Sequence, residues 1–210
     1  MGIADRRSEY ETAGLDVRDL AAHPVEQWQR WYDEAVAAGC TEPNAMILAT
    51  IDADGRPNAR YVLVRGADQE GLWFFTNTES TKASELAGRP VAALVFGWLE
   101  LHRQVRIRGP VEPLGRDEAE AYFASRPRAS RLASWASRQS SVLPDRDALL
   151  ASLADVEARF PGDVPAPRWV GCYRVEPDEV EFWQGRAGRL HDRLRYRRAG
   201  DGWVVERLSP

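Results

Sequence analysis

The chain contains few of the residues that bind structural metals or form disulfides. Its 210 residues include only two cysteines, Cys40 and Cys172. Two cysteines this far apart provide neither a disulfide framework nor the close spacing of a metal site. The three histidines, His23, His102 and His191, are equally scattered. We therefore expect no metal, and we expect both thiols to be buried or partly buried in a reducing compartment.

Long apolar runs are also absent. No segment approaches the ~20 apolar residues that a membrane-spanning helix needs. The N-terminal stretch MGIADRRSEYETAGLD lacks the apolar core of a secretory signal. The formal net charge of -4 argues against extensive electrostatic binding of nucleic acid. The sequence thus predicts a cytoplasmic protein with neither a membrane nor a nucleic acid as its partner.

Several familiar catalytic signatures are missing as well. The chain has no glycine-rich turn of the dinucleotide-binding type and no βαβ alternation, so a Rossmann fold is not expected. No serine nucleophile elbow and no pair of catalytic acids stands out. A chain that offers several basic clusters but no nucleophile is typical of an enzyme whose chemistry comes from a bound cofactor.

Apolar residues, by contrast, are numerous enough for a core. They make up 44% of the chain and include eight tryptophans. The length suits one domain of moderate size or two small ones. Because large aromatic side chains concentrate in cores and interfaces, the tryptophans also suggest a subunit interface.

The hydrophobic pattern predicts mostly strands, with helices inserted between them. Helices are predicted at residues 24–38, 80–86, 116–125, 131–138 and 145–160. Strands are predicted at residues 45–51, 60–65, 71–76, 91–98, 101–111, 169–175, 180–184, 189–197 and 203–208. Short turns such as Asp54-Gly55 indicate an antiparallel sheet or barrel, and so a mainly β fold of the α+β class. We predict a mobile segment at residues 1–22 and a single domain at residues 23–210.

The segment RLHDR, residues 189–193, concentrates basic groups. On a strand, Arg189, His191 and Arg193 would share one face. Three potentially cationic groups on one face favour an anion among them, since Arg donates two parallel hydrogen bonds to phosphate. A solvated basic edge strand that discourages aggregation explains the same spacing. The spacing alone does not decide between the two interpretations.

A second basic cluster lies at a predicted helix break. Tyr122 and Arg126 are four residues apart and would be neighbours on a helix. Ser130 follows Pro127 and could open the next helix, whose N-terminus would attract phosphate. The three residues together predict a phosphomonoester site, with a Ser N-cap and a surface Arg as the plain alternative.

Two further segments offer polar groups to a ligand. A strand at residues 101–111 would place Gln104, Arg106 and Arg108 on one face, which indicates a ligand or partner subunit or, equally, a solvated face. The trio Ser80-Thr81-Lys82 offers hydroxyls, backbone N–H groups and an ammonium to a phosphate. Such trios are common, so this signal is weak on its own.

Six segments together resemble the pyridoxine/pyridoxamine 5'-phosphate oxidase family. They are EPNAMILAT (42–50), HRQVRIRG (102–109), YFASRPRAS (122–130), SWASRQS (134–140), EFWQGR (181–186) and RLHDR (189–193), and the similarity runs from about Arg7 to Pro210. The resemblance implies an antiparallel split β-barrel that binds FMN at a homodimer interface. It also implies oxidation of pyridoxine or pyridoxamine 5'-phosphate at C4' to pyridoxal 5'-phosphate. Hydride would pass to the flavin and O2 would accept it as H2O2, with ammonia released from the amine substrate.

The resemblance also implies roles for individual residues. FMN contacts fall on Arg60, Tyr61, Val62, Leu63, Phe75, Thr76, Thr81, Lys82, Gln104, Gln139, Ser140, Trp183 and Arg193. Substrate contacts fall on Arg65, Tyr122, Arg126, Ser130, Arg189 and His191, of which Arg189 and His191 are the expected catalytic residues. Arg7 and Tyr10 match a mobile N-terminal segment that covers the substrate in the family.

The chain departs from the family pattern at three of these positions. Thr81 stands where an Arg beside the FMN phosphate is usual, Arg65 where a Lys is usual and Phe75 where a Tyr is frequent. The first change removes a cationic fork and so puts FMN affinity in doubt. The second keeps the charge but replaces a point charge with a planar fork.

Two other functions remain open at this point. Relatives on the same barrel oxidise intermediates of phenazine-type pathways, although a phosphate-holding set at Tyr122, Arg126 and Ser130 argues against such a substrate. A non-catalytic carrier or sensor of flavin or pyridoxal phosphate is the other alternative, and the loss of the Arg at Thr81 gives it support.

Overall fold

The protein is described from a computed structural model, which covers residue 10 and residues 12–210. Arg7 lies outside the described residues. The helices are α1 (Pro24–Ala37), α2 (Thr81–Gly88), α3 (Arg116–Ser125), α4 (Arg128–Ala136) and α5 (Arg146–Arg159). The strands are β1 (Ala45–Ile51), β2 (Pro57–Asp68), β3 (Gly71–Asn77), β4 (Val91–Trp98), β5 (Arg103–Pro113), β6 (Val170–Val175), β7 (Glu179–Gln184), β8 (Asp192–Ala199) and β9 (Gly202–Arg207).

Six antiparallel strands close into a barrel. The order β4-β1-β2-β3-β6-β5 returns to its start because β4 also pairs with β5. Strands β7, β8 and β9 extend the sheet outward from β5. The antiparallel split β-barrel with inserted helices is therefore confirmed.

Strand β2 serves two neighbours, β1 and β3, and changes register between Val64 and Gly66. The bulge lets the strand bend from one partner to the other. A Cβ at Gly66 would lie 2.0 Å from the ring of Trp73. Glycine is thus needed at position 66, where the Trp73 ring packs on the backbone. The bend at this bulge brings the polar residues of β2 to the edge of the barrel.

Alternating side chains fill the barrel. In β1, Met46 and Leu48 are fully buried while their neighbours are half-buried. Helix α1 places Trp28 and Trp31 in the same core, where Trp31 contacts Phe182 edge-on. These two tryptophans serve the core of one chain, so the tryptophan content does not by itself indicate an interface.

Helices α3, α4 and α5 form a second, smaller cluster beside β6. Its buried residues are Phe123, Leu132, Val156 and Val164. The cluster fixes α4 against the barrel, and α4 supplies one wall of the cavity described next.

Two predictions about local structure are wrong. Helix α4 begins at Arg128 with Pro127 at its N-cap, so Ser130 lies inside the first turn and does not open the helix. Arg189 is not on a strand: it ends a 3-10 turn, with a positive φ of 62°, and β8 begins only at Asp192. Arg189, His191 and Arg193 therefore do not share a strand face.

Residues before α1 pack on the barrel. Thr12 Oγ1 donates to Gly185 O at 2.6 Å, and the hydroxyl of Tyr196 donates to Ala21 O at 2.7 Å. The division into residues 1–22 and 23–210 stays a prediction.

Cys40 and Cys172 are both free and buried, as expected. Within the described part of the chain, no helix is long and apolar enough to cross a bilayer.

Candidate functional site

A cavity of about 590 Å³ opens between the barrel edge and helix α4. Its walls come from β2, β3, α2, α3, α4 and the segment before β6. Twelve of the predicted residues line it, namely Arg60, Tyr61, Val62, Leu63, Arg65, Phe75, Thr76, Lys82, Tyr122, Arg126, Ser130 and Gln139. The fold thus brings twelve predicted cofactor and substrate residues from five separate segments into one space.

Lys82 marks one end of this cavity. It is 9% exposed, and its ammonium donates to Thr76 Oγ1 at 3.2 Å and to Gln139 Oε1 at 3.0 Å. Burial, together with the nearby charge of Arg60, lowers the pKa of Lys82. Among the described residues no carboxylate forms an ion pair with it. A buried ammonium held only by neutral acceptors is well suited to an anionic ligand.

Arg60 lies beside Lys82 and is held by a buried carboxylate. Its Nη2 donates to Glu85 Oε2 at 2.9 Å, and its Nη1 donates to Thr50 Oγ1 at 2.5 Å. Burial alone would raise the pKa of Glu85, but hydrogen bonds from Asn58, Thr50 and Arg60 outweigh it and lower the pKa. Glu85 is therefore a charged group that fixes Arg60 and joins α2 to β1 and β2.

A second group of lining residues, which we call the Arg126 end, is aromatic and basic. Tyr122 stacks on Phe75 with ring centroids 3.8 Å apart, and the Arg65 guanidinium lies 5.6 Å from the Tyr122 ring centroid. Arg126 donates through Nη1 to Ser134 Oγ at 2.8 Å. Arg65 and Arg126 add two positive charges to this group, so the cavity is lined by two groups of cationic residues and by a stacked aromatic pair.

Thr81 and Ser140 lie next to this cavity rather than in it. Both line a neighbouring depression of about 670 Å³, which Gln139 also borders. The backbone N–H of Thr81 donates to Ser140 Oγ at 3.2 Å, and Ser140 has a positive φ of 71°. The N-terminus of α2 thus meets the loop after α4 at the Lys82 end of the cavity.

The remaining flavin-side residues form a row on the outer sheet. Gln104 of β5 pairs with Trp183 of β7, and Trp183 pairs with Arg193 of β8. Cross-strand partners share a face, so the three side chains lie side by side. Arg193 donates through Nε to the buried Glu181 at 2.8 Å, and this hydrogen bond raises the pKa of Arg193. None of the three lines the cavity.

His191 lies beside this row. Its ring centroid is 4.6 Å from that of Trp183 and 5.9 Å from that of Tyr10. Its Nδ1 accepts from the backbone N–H of Arg186 at 3.1 Å, so in the neutral ring the proton is on Nε2. Arg189 is exposed in the preceding turn. Tyr10 also stacks on His102 at 4.3 Å. In this chain the two expected catalytic residues are therefore separate from the cavity.

Sequence reasoning missed several residues that shape the site. Ser134 and Trp169 line the cavity, and Glu85 and Glu181 each hold an arginine of the predicted site. Glu181 was visible within the EFWQGR segment, and its position two residues before Trp183 puts it on the same strand face. Ser134 was likewise visible, as the first residue of the SWASRQS segment, and its partners Arg126 and Ser130 are close in sequence. Trp169 and Glu85 carry no local signal, because their partners are distant in sequence.

Known proteins are similar to this chain along nearly its whole length. Residues 32–160 match the family described as pyridoxamine 5'-phosphate oxidase, and residues 169–210 match the pyridoxine 5'-phosphate oxidase C-terminal dimerisation region. A pyridoxine/pyridoxamine 5'-phosphate oxidase of Burkholderia multivorans is 53% identical, with 99% of each chain covered. One from a Nocardioides species is 51% identical, covering 100% of this chain and 99% of that one.

Solved structures agree with this likeness. PhzG from Burkholderia lata, in complex with tetrahydrophenazine-1-carboxylic acid, superposes with a TM-score of 0.88 at 36% identity, covering 92% of this chain and 95% of that one. An FMN-binding protein of Nostoc punctiforme related to pyridoxamine 5'-phosphate oxidase has a TM-score of 0.70 at 21% identity, covering 87% and 97%. The second likeness supports the fold alone.

Proposed function

Because this chain belongs to the pyridoxamine 5'-phosphate oxidase family of oxidoreductases, we propose that it converts pyridoxine or pyridoxamine 5'-phosphate to pyridoxal 5'-phosphate with FMN as cofactor. O2 is the electron acceptor and yields H2O2, and the amine substrate also yields ammonia. We assign this activity to the cytoplasm. The observation that carries the proposal is the one cavity lined by two groups of cationic residues, Arg60 with Lys82 and Arg65 with Arg126.

The Lys82 end fits the phosphate of FMN. The buried ammonium is held by neutral acceptors only, within the described residues, and an anion would stabilise its charge. Arg60 is fixed beside it by Glu85. FMN, when bound, supplies the hydride acceptor for C4' of the substrate. Thr81 lies beside this end and offers only its hydroxyl, since its backbone N–H donates to Ser140 Oγ, so Lys82 and Arg60 provide the positive charge.

The Arg126 end suits the phosphate of the substrate. Arg126 provides charge, Tyr122 and Ser130 provide hydroxyls, and all three line the cavity. Binding this remote group fixes the substrate ring, so that C4' is held in one position for hydride transfer. Phe75 orients the Tyr122 ring by stacking on it.

A second copy of the chain completes the site in this proposal. The dimerisation region, residues 169–210, contains Trp183, Arg189, His191 and Arg193, none of which lines the cavity of its own chain. We propose a homodimer in which these residues of one protomer cover the cavity of the other. Arg189 and His191 would then face the substrate ring, with His191 able to donate from Nε2.

The complex of PhzG with a phenazine precursor supports one alternative substrate class, since that protein is 36% identical to this chain. A tetrahydrophenazine carboxylic acid has no phosphate. A guanidinium binds a carboxylate as well as a phosphate, but the added hydroxyls of Tyr122 and Ser130 suit the further oxygens of a phosphomonoester.

Spectroscopy followed by turnover tests the proposal. We expect the purified protein to be yellow, to release FMN on denaturation, and to form pyridoxal 5'-phosphate with O2 uptake from either phosphorylated substrate. A colourless protein that stays inactive after FMN is added would contradict it. Turnover of a reduced phenazine carboxylic acid in preference to both B6 phosphates would favour the alternative.

A further inference from the structure

Ser134 lines the cavity and is hydrogen-bonded to Arg126, which is predicted to bind the substrate phosphate. It lies on α4, one turn after Ser130, and lines the same cavity. Its Oγ accepts from Arg126 Nη1 at 2.8 Å and donates to Ser130 O at 2.9 Å. Neither its sequence context nor the family resemblance gives it a role.

The direction of these two bonds limits what Ser134 can do. A serine hydroxyl has one proton, and here that proton goes to the carbonyl of Ser130. Towards Arg126 the oxygen can then act only as an acceptor. Ser134 therefore has no proton left for a phosphate oxygen, and any contribution to anion binding passes through Arg126.

The surroundings of Ser134 make it a fixed acceptor. Trp169 Nε1 donates to Ser134 O at 3.0 Å, which holds this turn of α4 against the segment before β6. On the other side of Arg126, the Phe123 ring centroid lies 5.9 Å from the guanidinium carbon. No carboxylate forms an ion pair with Arg126 within residue 10 and residues 12–210. One N–H of the guanidinium is thus committed to Ser134, while its charge remains available to an anion.

We propose that Ser134 is a positioning residue that orients Arg126 for the substrate phosphate, an inference that rests on the proposed function. A guanidinium oriented in advance loses less side-chain freedom when the anion binds. The competing explanation is local: serine hydroxyls in helices often bond to the carbonyl four residues earlier without any function. That explanation accounts for the Ser130 bond but not for the Arg126 bond.

A set of five variants tests the proposal by steady-state kinetics with pyridoxine 5'-phosphate. Loss of one neutral-to-charged hydrogen bond should raise KM roughly 3- to 10-fold in Ser134→Ala while kcat stays unchanged. Ser134→Thr keeps the hydroxyl and should retain the original KM. Ser152→Ala is the matched control, because its Oγ also donates to an α4 carbonyl, that of Ala136 at 2.9 Å, but does not touch Arg126. Its KM should be unchanged.

The other two variants are Arg126→Ala and the double substitution of Ser134→Ala with Arg126→Ala. If Ser134 acts through Arg126, its loss should add nothing to the KM of Arg126→Ala. An equal rise of KM in both backgrounds, or no rise in Ser134→Ala alone, would overturn the positioning role. If Arg126→Ala itself leaves KM unchanged, the phosphate site of the proposed function fails, and this proposal fails with it. Equal FMN content in all variants establishes that they fold alike.

Discussion

The cavity and the outer-sheet row are two halves of one predicted site, and they are built differently. The cavity half is assembled within one chain: Lys82, Arg60 and Arg126 are each held by hydrogen bonds from neighbouring elements. The row half, with Trp183 and Arg193, lies on the sheet that extends from the barrel, in the dimerisation region. The first half is organised by contacts within one chain, while in the proposed dimer the second half meets a cavity only through assembly.

Each half nonetheless uses the same device, a buried carboxylate that holds an arginine. Glu85 is 8% exposed and binds Arg60, and Glu181 is 4% exposed and binds Arg193 and Arg106. The arginines differ in exposure: the side chain of Arg60 is 20% exposed, while those of Arg193 and Arg106 are 27% and 48% exposed. Water screens the two Glu181 pairs more than the Glu85 pair, so the same substitution should cost the cavity half more stability.

The largest expected effect compares Glu85→Gln with Glu181→Gln. Breaking a buried pair by removing one charge costs about 3 kcal/mol or more, so Glu85→Gln should lower the free energy of unfolding by about that amount. Glu181→Gln should cost less. Chemical denaturation of both variants measures this order, and the reverse order would contradict the account of the two halves.

The same variant makes a pH prediction. The folded-state pKa of Glu85 is lower than its ordinary value of 4.5. Its stabilisation is therefore present above pH 4.5 and is lost as the pH falls through the folded pKa. The stability difference between the native chain and Glu85→Gln should shrink as the pH falls below 4.5. A difference that does not change with pH would mean that Glu85 is not charged in the fold.

The sequence predicted the barrel better than the site. Strands β1 and β4 and helix α3 have the predicted bounds, because alternating or periodic apolar residues set them locally. Arg189 was misassigned to a strand, since its positive φ belongs to a turn that composition does not reveal. Glu85 was missed because its role depends on partners that only the folded chain brings near. The separation of the predicted site into the cavity and the outer-sheet row likewise could not be predicted from the sequence.

A third prediction concerns the Arg126 end of the cavity. A charge-assisted hydrogen bond contributes ~1.5–3 kcal/mol, so Arg126→Ala should raise KM for either phosphorylated substrate roughly 10- to 150-fold with a smaller change in kcat. Arg128→Ala is the control, because that guanidinium donates to Phe160 O and Gly162 O outside the cavity. An equal effect of both substitutions on KM would show that stability, not phosphate contact, is responsible.

The smallest effect is expected at Thr81. If this position lies beside the FMN phosphate, Thr81→Arg adds one exposed cation and should tighten FMN binding by about 5-fold, since such a contact contributes ~1 kcal/mol. Titration of the apoprotein with FMN, followed by quenching of flavin fluorescence, measures the Kd. Thr81→Lys should give a smaller gain, because a point charge replaces the planar fork. Unchanged or weaker binding in both variants would separate Thr81 from the phosphate.

Hybrid dimers test most directly the claim that the two halves belong to different subunits. The substitution Lys82→Met impairs the cavity half, and Trp183→Ala impairs the row half. The homodimer of either variant should therefore have little activity. Two differently tagged chains, one with each substitution, can be co-expressed and the heterodimer isolated through both tags. If the halves come from different chains, the heterodimer contains one intact site and should recover about half of the native activity. Activity no higher than that of the two parent homodimers would contradict the shared site.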